Sequence, residues 1–517
     1  MSNFKMAICF TLVTAVAVGC SSKPENAASD VNKPAPSIKV ALSSKSLPYV
    51  EASPKINEDK YVKKLRELSG TNVQFELIPH PDFEQKLGLI LASGEMSDLL
   101  EIRGINTPVA APAVNNGAFL ELNDLIDKFA PNLKAKISKE VWNSPTLSKE
   151  GKIYAIPNLT EVTHSQAVYV RKDWLDKLGL KVPKTIDEYI TVMRAFRDND
   201  LNGNGKADEI PFSGRKNFRF AELFFGAYDV SPGDDLKQGA WKYVNNQLVP
   251  NYVRPEMKEA LALYKKLYQE KLIDNEIFVQ EGKDWDAKIK GAARVGMWMH
   301  DPSYPDKWLT EVRQGDPKAE ILVIPAPIGP DGKGGTSIAS SIGSAFAIPK
   351  SSKNAEAVMK FLDWFYSDQA EQFMTYGLEG EDYTINNGKI AYKYPTTPDG
   401  INKENMHLKF IRITGPSYVD NKVFMKGRNE GELISAALDV ANAEGRKNDG
   451  IDMPLPPTMQ SHPELAKNGL WMETAAKIII GTESVDYFDK FVEDWKKRGG
   501  DQIIQEATKW YDSNVKK

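Results

Sequence analysis

The residues from position 200 to 209 have the types and the spacing of a cation-binding loop. Oxygen-bearing side chains alternate there with glycine or other residues, in the order Asp-Leu-Asn-Gly-Asn-Gly-Lys-Ala-Asp-Glu. Calcium takes about six to eight oxygen ligands, and glycines permit the tight turns that point successive side chains inward. The sequence therefore predicts a structural calcium ion held by Asp200, Asn202, Asn204, the main-chain carbonyl of Lys206, Asp208 and Glu209.

A second reading of the same loop is an EF-hand. A frame that starts at Asp198 puts Gly203 at the sixth position and Glu209 at the twelfth, as that motif requires. However, Gly205 stands where the motif expects an apolar residue, and the sequence has no paired second loop. A calcium sensor is therefore disfavoured, and a solvated polar turn without an ion remains the alternative.

Motifs for catalysis are absent from the sequence. It contains no His-Glu-x-x-His, no Gly-x-Ser-x-Gly and no phosphate-binding loop. The five histidines show no paired metal-binding spacing. A pair of carboxylates for glycoside hydrolysis stays possible, but 70 acidic residues leave any chosen pair arbitrary. We therefore expect a protein that is not an enzyme.

The N-terminus predicts a secretory signal peptide over residues 1–19. Lys5 precedes the apolar run Met6–Val18, and small residues then lead to Cys20. The run is shorter than the roughly 18 residues of a membrane-spanning helix, so we expect no integral membrane protein. The end of the run resembles a lipoprotein lipobox, which implies cleavage before Cys20 and a diacylglycerol on its thiol. An ordinary signal peptide with an accidental cysteine is the alternative.

Cysteine usage agrees with lipidation. Cys9 lies inside the predicted signal peptide, so Cys20 is the only cysteine of the mature chain and cannot form an internal disulfide. Residues 20–36 are rich in Ser, Pro, Asn, Ala and Lys and offer little to bury, which predicts a flexible tether.

The composition of the whole chain is that of a globular protein. Of its 517 residues, 41% are hydrophobic and 26% are charged, which excludes wholesale disorder. At roughly 150 residues per domain, the length suggests two or three domains. The net charge of −4 provides no overall field for binding nucleic acid.

The elements that must position these residues follow an α/β pattern. Alternating strands are predicted at 37–42, 72–78 and 98–102, with helices at 60–69 and 82–92 between them. This order is typical of a doubly wound parallel sheet. Further elements are predicted as a strand at 167–171, helices at 173–178, 185–198, 255–271 and 355–366, and a terminal helix at 488–511.

Open α/β sheets bind ligands beyond the carboxyl ends of their strands. The loops that follow the first and third predicted strands, Ser43–Glu51 and Arg103–Pro108, are therefore the candidate site.

Several stretches carry motifs that are specific when combined. They are Tyr169–Tyr189 followed by the calcium loop, Ala92–Asp98 with Ser97 where proline is usual, Gly151–Pro157, Ala345–Pro349, Gly377–Thr384 and Asn387–Lys389. From about residue 37 onward, the chain resembles the extracellular solute-binding lipoproteins of ABC importers. Within them it is most similar to the oligosaccharide-binding group that includes the LplA-type lipoproteins and the alginate-binding proteins.

The resemblance implies an α/β fold of the two-lobe, type II periplasmic-binding-protein kind, with the ligand held in a cleft between the lobes. It places lobe one at 37–157 and 341–412, and lobe two at 158–340 and 413–517. It also implies a monomer that captures an oligosaccharide and delivers it to ABC permease subunits. The protein would be lipid-anchored on the extracytoplasmic face of a bacterial membrane, and periplasmic in a Gram-negative cell.

Sugar sites need aromatic platforms flanked by hydrogen-bonding side chains. Tyr49 and Arg103 follow predicted strands, while His300 and Asp301 match a His-Asp pair of the alginate-binding proteins. The candidate ligand contacts are Tyr49, Arg103, His164, Trp298, His300, Asp301, Tyr304 and Tyr418. For each aromatic residue the alternative is packing in the core, for Arg103 it is a surface salt bridge, and for His164 it is a structural role.

The charge of the sugar follows from a departure from the family pattern. Alginate is a polyanion whose binders carry arginine and lysine where this chain has the neutral, serine-rich segment Gly335–Ser344. A neutral or singly charged oligosaccharide is therefore expected. Two other functions stay open, a lipid-tethered secreted carbohydrate-active enzyme and a sensing or adhesive lipoprotein.

Overall fold

The computed structural model describes residues 35–160, 163, 166–233, 239–338 and 340–516. The predicted signal peptide, Cys20, nearly all of the tether and His164 lie outside the described residues. The principal strands are β1 (Ser37–Ser43), β2 (Asn72–Ile78), β3 (Leu99–Ile102), β4 (Ala155–Leu159), β5 (Ala167–Arg171), β6 (Ile210–Ser213), β7 (Val295–His300), β8 (Ile321–Ile324) and β9 (Ile342–Ala347).

The longer helices each have eight or more residues. They are α1 (Lys60–Ser69), α2 (Phe83–Ser93), α3 (Ile186–Arg197), α4 (Pro255–Gln269), α5 (Pro305–Val312), α6 (Ala355–Trp364), α7 (Asp368–Tyr376), α8 (Pro398–Asn405), α9 (Gly431–Ala443), α10 (Met472–Ile480), α11 (Tyr487–Trp495) and α12 (Asp501–Asn514). Shorter helices lie at Pro48–Glu51, Ala111–Asn115, Asn123–Phe129, Pro131–Lys136, Lys139–Trp142, Lys172–Lys177, Gly282–Asp286, Lys422–Gly427 and Pro457–Ser461. Small hairpins pair Ser148–Lys149 with Lys152–Ile153, Trp241–Val244 with Gln247–Pro250, and Tyr383–Asn386 with Lys389–Tyr392.

The first sheet is five-stranded, in the order β2-β1-β3-β9-β4. The strands β1, β2 and β3 run parallel, as the strand-helix-strand pattern predicts, while β9 is antiparallel to both β3 and β4. Local signals fix the crossover helices. The Asp59 side chain accepts a hydrogen bond from the Tyr61 backbone N–H at the start of α1, and Gly70 ends that helix with a φ of 62°.

The second sheet is four-stranded, in the order β8-β5-β7-β6. Strand β5 is antiparallel to both β7 and β8, and β7 is parallel to β6. The helix that precedes this sheet's polar loop, α3, begins at a capping box in which Thr185 and Glu188 satisfy each other's backbone N–H groups.

Each sheet has its own hydrophobic core. The core around the first sheet draws on residues between Ile38 and Ile156 and between Ile342 and Ile413. The core around the second sheet draws on residues between Ala167 and Ala326 and between Ala437 and Ala507. Two cores on two sheets are the two-lobe α/β architecture, and the chain passes between them more than once. The lobe boundaries 37–157 with 341–412, and 158–340 with 413–517, stay a prediction.

The prediction of the terminal helix is wrong in one respect. The sequence pattern predicts one helix over 488–511, but the structure has α11 and α12 with a kink between them. Gly499 adopts a φ of 125°, which lies outside the helical region. The apolar spacing continues through the kink, so periodicity alone does not reveal it. In the described part of the chain, no helix is long and apolar enough to cross a bilayer.

Candidate ligand-binding site

The carboxyl ends of β1 and β3 meet around a buried carboxylate. Glu101 on β3 is 1% exposed, and its Oε2 accepts a hydrogen bond from the Ser43 backbone N–H at 2.8 Å. Arg103 places Nη1 3.4 Å from Glu101 Oε1, and its guanidinium lies 4.5 Å from the ring centre of Phe83. A buried carboxylate needs hydrogen bonds and a counter-charge. Glu101 therefore links the end of β1 to β3 and fixes the position of Arg103.

A cavity of about 250 Å³ opens at these strand ends. Its walls come from the loop after β1, from β3 and the residue that follows it, from the end of β4, from the start of β9 and from residues 408–418. The lining residues are Lys45, Glu101, Arg103, Asn158, Leu159, Thr160, Gly343, Ser344, Leu408, Lys409, Arg412, Gly415, Ser417 and Tyr418.

Contacts with the surrounding chain position the basic residues of the cavity. Lys45 Nζ donates to the Lys409 carbonyl at 2.7 Å. Arg412 donates from Nη2 to Thr375 Oγ1 at 3.0 Å and from Nη1 to the carbonyl of Pro416. These contacts fix the side chains at the wall. Among the described lining residues, Lys45, Arg103, Lys409 and Arg412 are basic and Glu101 is acidic.

A group of aromatic rings lies at the corresponding end of the second sheet. His300 is the last residue of β7 and pairs with Ala167, where the chain enters β5. Its ring centre lies 4.7 Å from Phe220, 5.1 Å from Trp308 and 6.4 Å from both Trp285 and Tyr304. We call His300, Phe220, Trp285, Tyr304 and Trp308 the aromatic cluster.

Two polar atoms of the aromatic cluster have no hydrogen-bond partner among the described residues. They are His300 Nδ1 and Trp285 Nε1, both buried. Burial lowers the pKa of His300 to about 4, so its imidazole is neutral near pH 7. A neutral imidazole and an indole N–H offer hydrogen bonds without charge, which suits the hydroxyl groups of a ligand.

The structure places some predicted contacts away from the cavity. Trp298 is fully buried and stacks on Tyr169 at 5.5 Å, which favours the core-packing alternative. Tyr49 donates from its hydroxyl to Asp59 Oδ2 at 2.9 Å, at the start of α1. Asp301 accepts from the backbone N–H of Ser303 at 2.8 Å and so stabilises the turn after β7.

Four other predicted contacts lie in one of the two places just described. Arg103 and Tyr418 both line the cavity, and His300 and Tyr304 belong to the aromatic cluster. Lys45, Lys409 and Arg412 line the cavity but are not among the contacts predicted from the sequence. Lys45 lies inside the predicted loop 43–51, so the sequence could have indicated it as a candidate contact. Lys409 and Arg412 reach the cavity only through the tertiary fold.

The predicted calcium loop folds around its own oxygen atoms. Asp200 accepts hydrogen bonds from the backbone N–H groups of Gly203, Asn204 and Gly205 at 2.8 to 3.1 Å. Glu209 is 6% exposed, and its Oε1 accepts from Leu201 at 2.5 Å.

One observation favours cation binding by this loop, and one opposes it. Glu209 Oε2 is buried and has no partner among the described residues, so one carboxylate oxygen stays available. However, no three His, Cys, Asp or Glu side chains of the described residues lie together as a metal-binding group. Two asparagines and a main-chain carbonyl would have to complete the ligand set, as the sequence pattern predicts.

The model of one protein family matches this chain. Its description is "bacterial extracellular solute-binding protein", and it covers residues 54–372. Two curated proteins of Bacillus subtilis are similar over most of their length. The polygalacturonan/rhamnogalacturonan-binding protein YtcQ is 26% identical over 518 residues, with 98% of each chain covered. The lipoprotein LipO is 26% identical over 492 residues, with 89% of this chain and 91% of LipO covered.

A solved structure has the same fold. It is an ABC-transporter-associated solute-binding protein from Bifidobacterium longum infantis that binds HMO. It superposes with a TM-score of 0.69 at 22% identity, and the match covers 94% of this chain and all of the other.

Proposed function

Because this chain belongs to the family of bacterial extracellular solute-binding proteins, we propose that it captures an oligosaccharide outside the cell and delivers it to an ABC permease. The observation that carries the proposal is the cavity at the carboxyl ends of β1 and β3, in a two-lobe fold of that family. Hydroxyl and amide side chains and the ring of Tyr418 line it. These are the groups that bind the edges and faces of sugar rings.

In this proposal the ligand contacts lie at the ends of the two sheets. Arg103 and Tyr418 contact the ligand from the side of the first sheet. His300 and Tyr304 contact it from the second sheet, where Tyr304 is 38% exposed and therefore accessible to a ring. The names of the relatives support a sugar, since YtcQ binds polygalacturonan or rhamnogalacturonan and the Bifidobacterium protein binds HMO.

A thermal-shift screen over monosaccharides and oligosaccharides tests the proposal. A ligand that binds only the folded state raises the melting temperature by mass action. We expect at least one oligosaccharide to do so, with stoichiometric binding in calorimetry. Chromatography of the recovered sugar then separates the receptor from the alternative, a carbohydrate-active enzyme. Intact sugar supports the receptor, and shortened products would contradict it.

Two further features belong to the same proposal. The loop at 200–209 holds a structural calcium ion. The support is Glu209 Oε2, which is buried and has no hydrogen-bond partner among the described residues. Cys20 carries the lipid that keeps the protein at the extracytoplasmic face of the membrane. Support for the lipid comes from the sequence before Cys20 and from the similarity to LipO, itself a lipoprotein.

A further inference from the structure

Residues 448–453 form a turn that belongs to the second lobe and contacts the first. The Asn448 side chain is 2% exposed, and its Oδ1 accepts a hydrogen bond from the Trp241 backbone N–H at 2.9 Å. Trp241 and Met453 are both members of the core around the second sheet. The turn is therefore held at both ends by the second lobe, and Asp452 lies between these two anchors.

The facing part of the first lobe is the loop after β3. The Ile105 backbone N–H donates to the Thr146 carbonyl at 2.9 Å, which ties this loop to the segment that contains Ser144. Gly104 has a φ of 142°, and a Cβ at that position would lie 2.7 Å from Thr146 Cγ2. Because glycine permits so close an approach, the side chains of Asn106 and Ser144 can act together.

Asp452 joins the two lobes through two hydrogen bonds. Its Oδ2 accepts from Ser144 Oγ at 2.9 Å, and its main-chain carbonyl accepts from Asn106 Nδ2 at 2.6 Å. Ser144 is 9% exposed, so the first of these bonds is partly shielded from water. A hydrogen bond to an ionised acceptor is roughly twice as strong as one between neutral groups. The pair of bonds therefore favours the arrangement in which the lobes touch.

The backbone of Asp452 adopts an uncommon conformation at this contact. Its φ is 63°, in the left-handed region that most residues other than glycine avoid. Such a conformation costs free energy and persists where the surrounding structure imposes it. Both the carboxylate and the carbonyl of this one residue reach the first lobe, so the unfavourable backbone is offset by contacts between the lobes.

We propose that Asp452 is a latch that holds the two lobes together before any ligand is bound. This role goes beyond sugar capture, because it acts in the ligand-free protein. A contact made in only one of two arrangements shifts the population towards that arrangement. Asn106 lies three residues after Arg103, which lines the cavity. Opening of the latch therefore releases the loop that carries a residue of the binding site.

Distances between two spin labels measure the lobe equilibrium without any sugar. The labels are attached at Lys63→Cys on α1 and at Lys490→Cys on α11, two exposed positions in different lobes. The full-length chain is used, with Cys9 and Cys20 replaced by serine so that only the two labelling sites react. Pulsed electron paramagnetic resonance then gives the populations, and small-angle X-ray scattering identifies the more open one by its larger radius of gyration.

Asp452→Gly removes the carboxylate, keeps the carbonyl for Asn106 and fits a positive φ. It should raise the ratio of open to closed molecules about tenfold, as expected for the loss of one hydrogen bond to a charged group. Ser144→Ala should shift the ratio in the same direction. The double variant should shift it no further than Asp452→Gly does, because both replacements remove the same bond between the lobes.

Asn387→Gly is the matched control. Asn387 also has a positive φ, of 52°, and it lies exposed at the tip of a hairpin. The replacement relieves its backbone as Asp452→Gly does, but it changes no contact between the lobes. Its label distances and radius of gyration should equal those of the wild type.

The melting temperature separates a latch from a merely structural turn. Ser144 Oγ also accepts from the Thr146 backbone N–H at 3.2 Å, so Ser144→Ala can lower the melting temperature through the first lobe alone. If Asp452→Gly and Ser144→Ala lower the melting temperature but keep the label distances of the wild type, the latch is wrong. A smaller radius of gyration in Asp452→Gly would also contradict it. No sugar enters these measurements, so their outcome is independent of the thermal-shift screen that tests the proposed function.

Discussion

At the scale of single residues, burial decides which aromatic side chains can meet a ligand. Trp298 and Tyr418 are both predicted contacts, but Trp298 is fully buried against Tyr169, whereas Tyr418 borders the cavity. Sequence can place both near strand ends, but it cannot show which side of a strand end faces the solvent-filled space. That distinction depends on packing between elements that are far apart in the chain.

The replacements Tyr418→Ala and Trp298→Ala should therefore have opposite signatures. Loss of a stacking ring from the cavity should weaken sugar binding about tenfold or more, since roughly 1.4 kcal/mol is one decade in affinity. Loss of Trp298 should cost about 3–5 kcal/mol of unfolding free energy and leave the affinity of the folded protein nearly unchanged. Denaturant unfolding and calorimetry on both variants measure these effects. Unchanged affinity in Tyr418→Ala would place the ligand away from the cavity.

His407 should make the protein less stable in acid. It is 1% exposed, its Nδ1 lies 3.0 Å from the Met374 carbonyl, and burial lowers its pKa to about 4. An unfolded histidine has a pKa of about 6.5. As the pH falls from 6.5 to 4, the unfolded state therefore binds a proton that the folded state does not. The unfolding free energy should fall by about 3 kcal/mol over that interval because of this group.

Denaturant unfolding at several pH values checks this effect. His407→Gln cannot titrate and can still form a hydrogen bond with Met374, so its stability should fall less steeply between pH 6.5 and 4. His462, which is half exposed, is the control, and His462→Gln should follow the wild type. Parallel curves for the wild type and His407→Gln would show that His407 does not contribute.

At the scale of elements, local signals suffice where each element carries its own start and stop. The strands at 72–78 and 167–171 and the helix α1 at 60–69 have the predicted bounds, because alternation, an Asp cap and a terminal glycine are all local. The break between α11 and α12 was not predicted, because a glycine pair does not interrupt the apolar periodicity. The basic residues of the cavity were not predicted as a group, because no local pattern links Lys45 with Arg412.

The loop at 200–209 is the element whose role is most directly measurable. If it binds calcium, a chelator should lower the melting temperature of the wild type, because a ligand of the folded state is removed. Asp208→Ala removes one of three carboxylates and should reduce both the affinity for calcium and the effect of the chelator. Lys206→Ala is a matched control, because Lys206 would contribute only its main-chain carbonyl. If the chelator does not change the melting temperature of the wild type, the loop is a polar turn without an ion.

At the scale of the whole molecule, the two-lobe fold follows from motifs spread over the chain and from two separate cores. The sequence predicts the first parallel unit, and the resemblance to solute-binding lipoproteins predicts the second lobe. The boundaries are harder, since the residues that pass between the lobes carry no pattern of their own. Strand β4 ends at Leu159 and β5 begins at Ala167, while β8 ends at Ile324 and β9 begins at Ile342.

Attachment to the membrane through Cys20 is a prediction that concerns the protein as a whole. A single acyl chain binds a bilayer only weakly, and a diacylglycerol on Cys20 would provide stable anchoring. Cys20→Ser should therefore move the protein from the membrane fraction to the soluble extracytoplasmic fraction or the medium. Cys9→Ser, inside the predicted signal peptide, is the control and should stay with the membrane. Membrane association of Cys20→Ser equal to that of the wild type would contradict lipidation.

Capture of a sugar between two lobes requires that they move. The cavity belongs to the first sheet and the aromatic cluster to the second, so a ligand that touches both is held most tightly when the lobes approach each other. Small-angle X-ray scattering should then show a smaller radius of gyration at saturating oligosaccharide. At the same sugar concentration, Arg103→Met should show a smaller change because fewer molecules are occupied. Arg194→Met should match the wild type, because Arg194 pairs with Glu270 at the surface. Identical scattering with and without sugar, under conditions where calorimetry shows full occupancy, would mean that the ligand binds one lobe alone. In that case the neutral imidazole of His300 and the exposed ring of Tyr304 would not take part in binding.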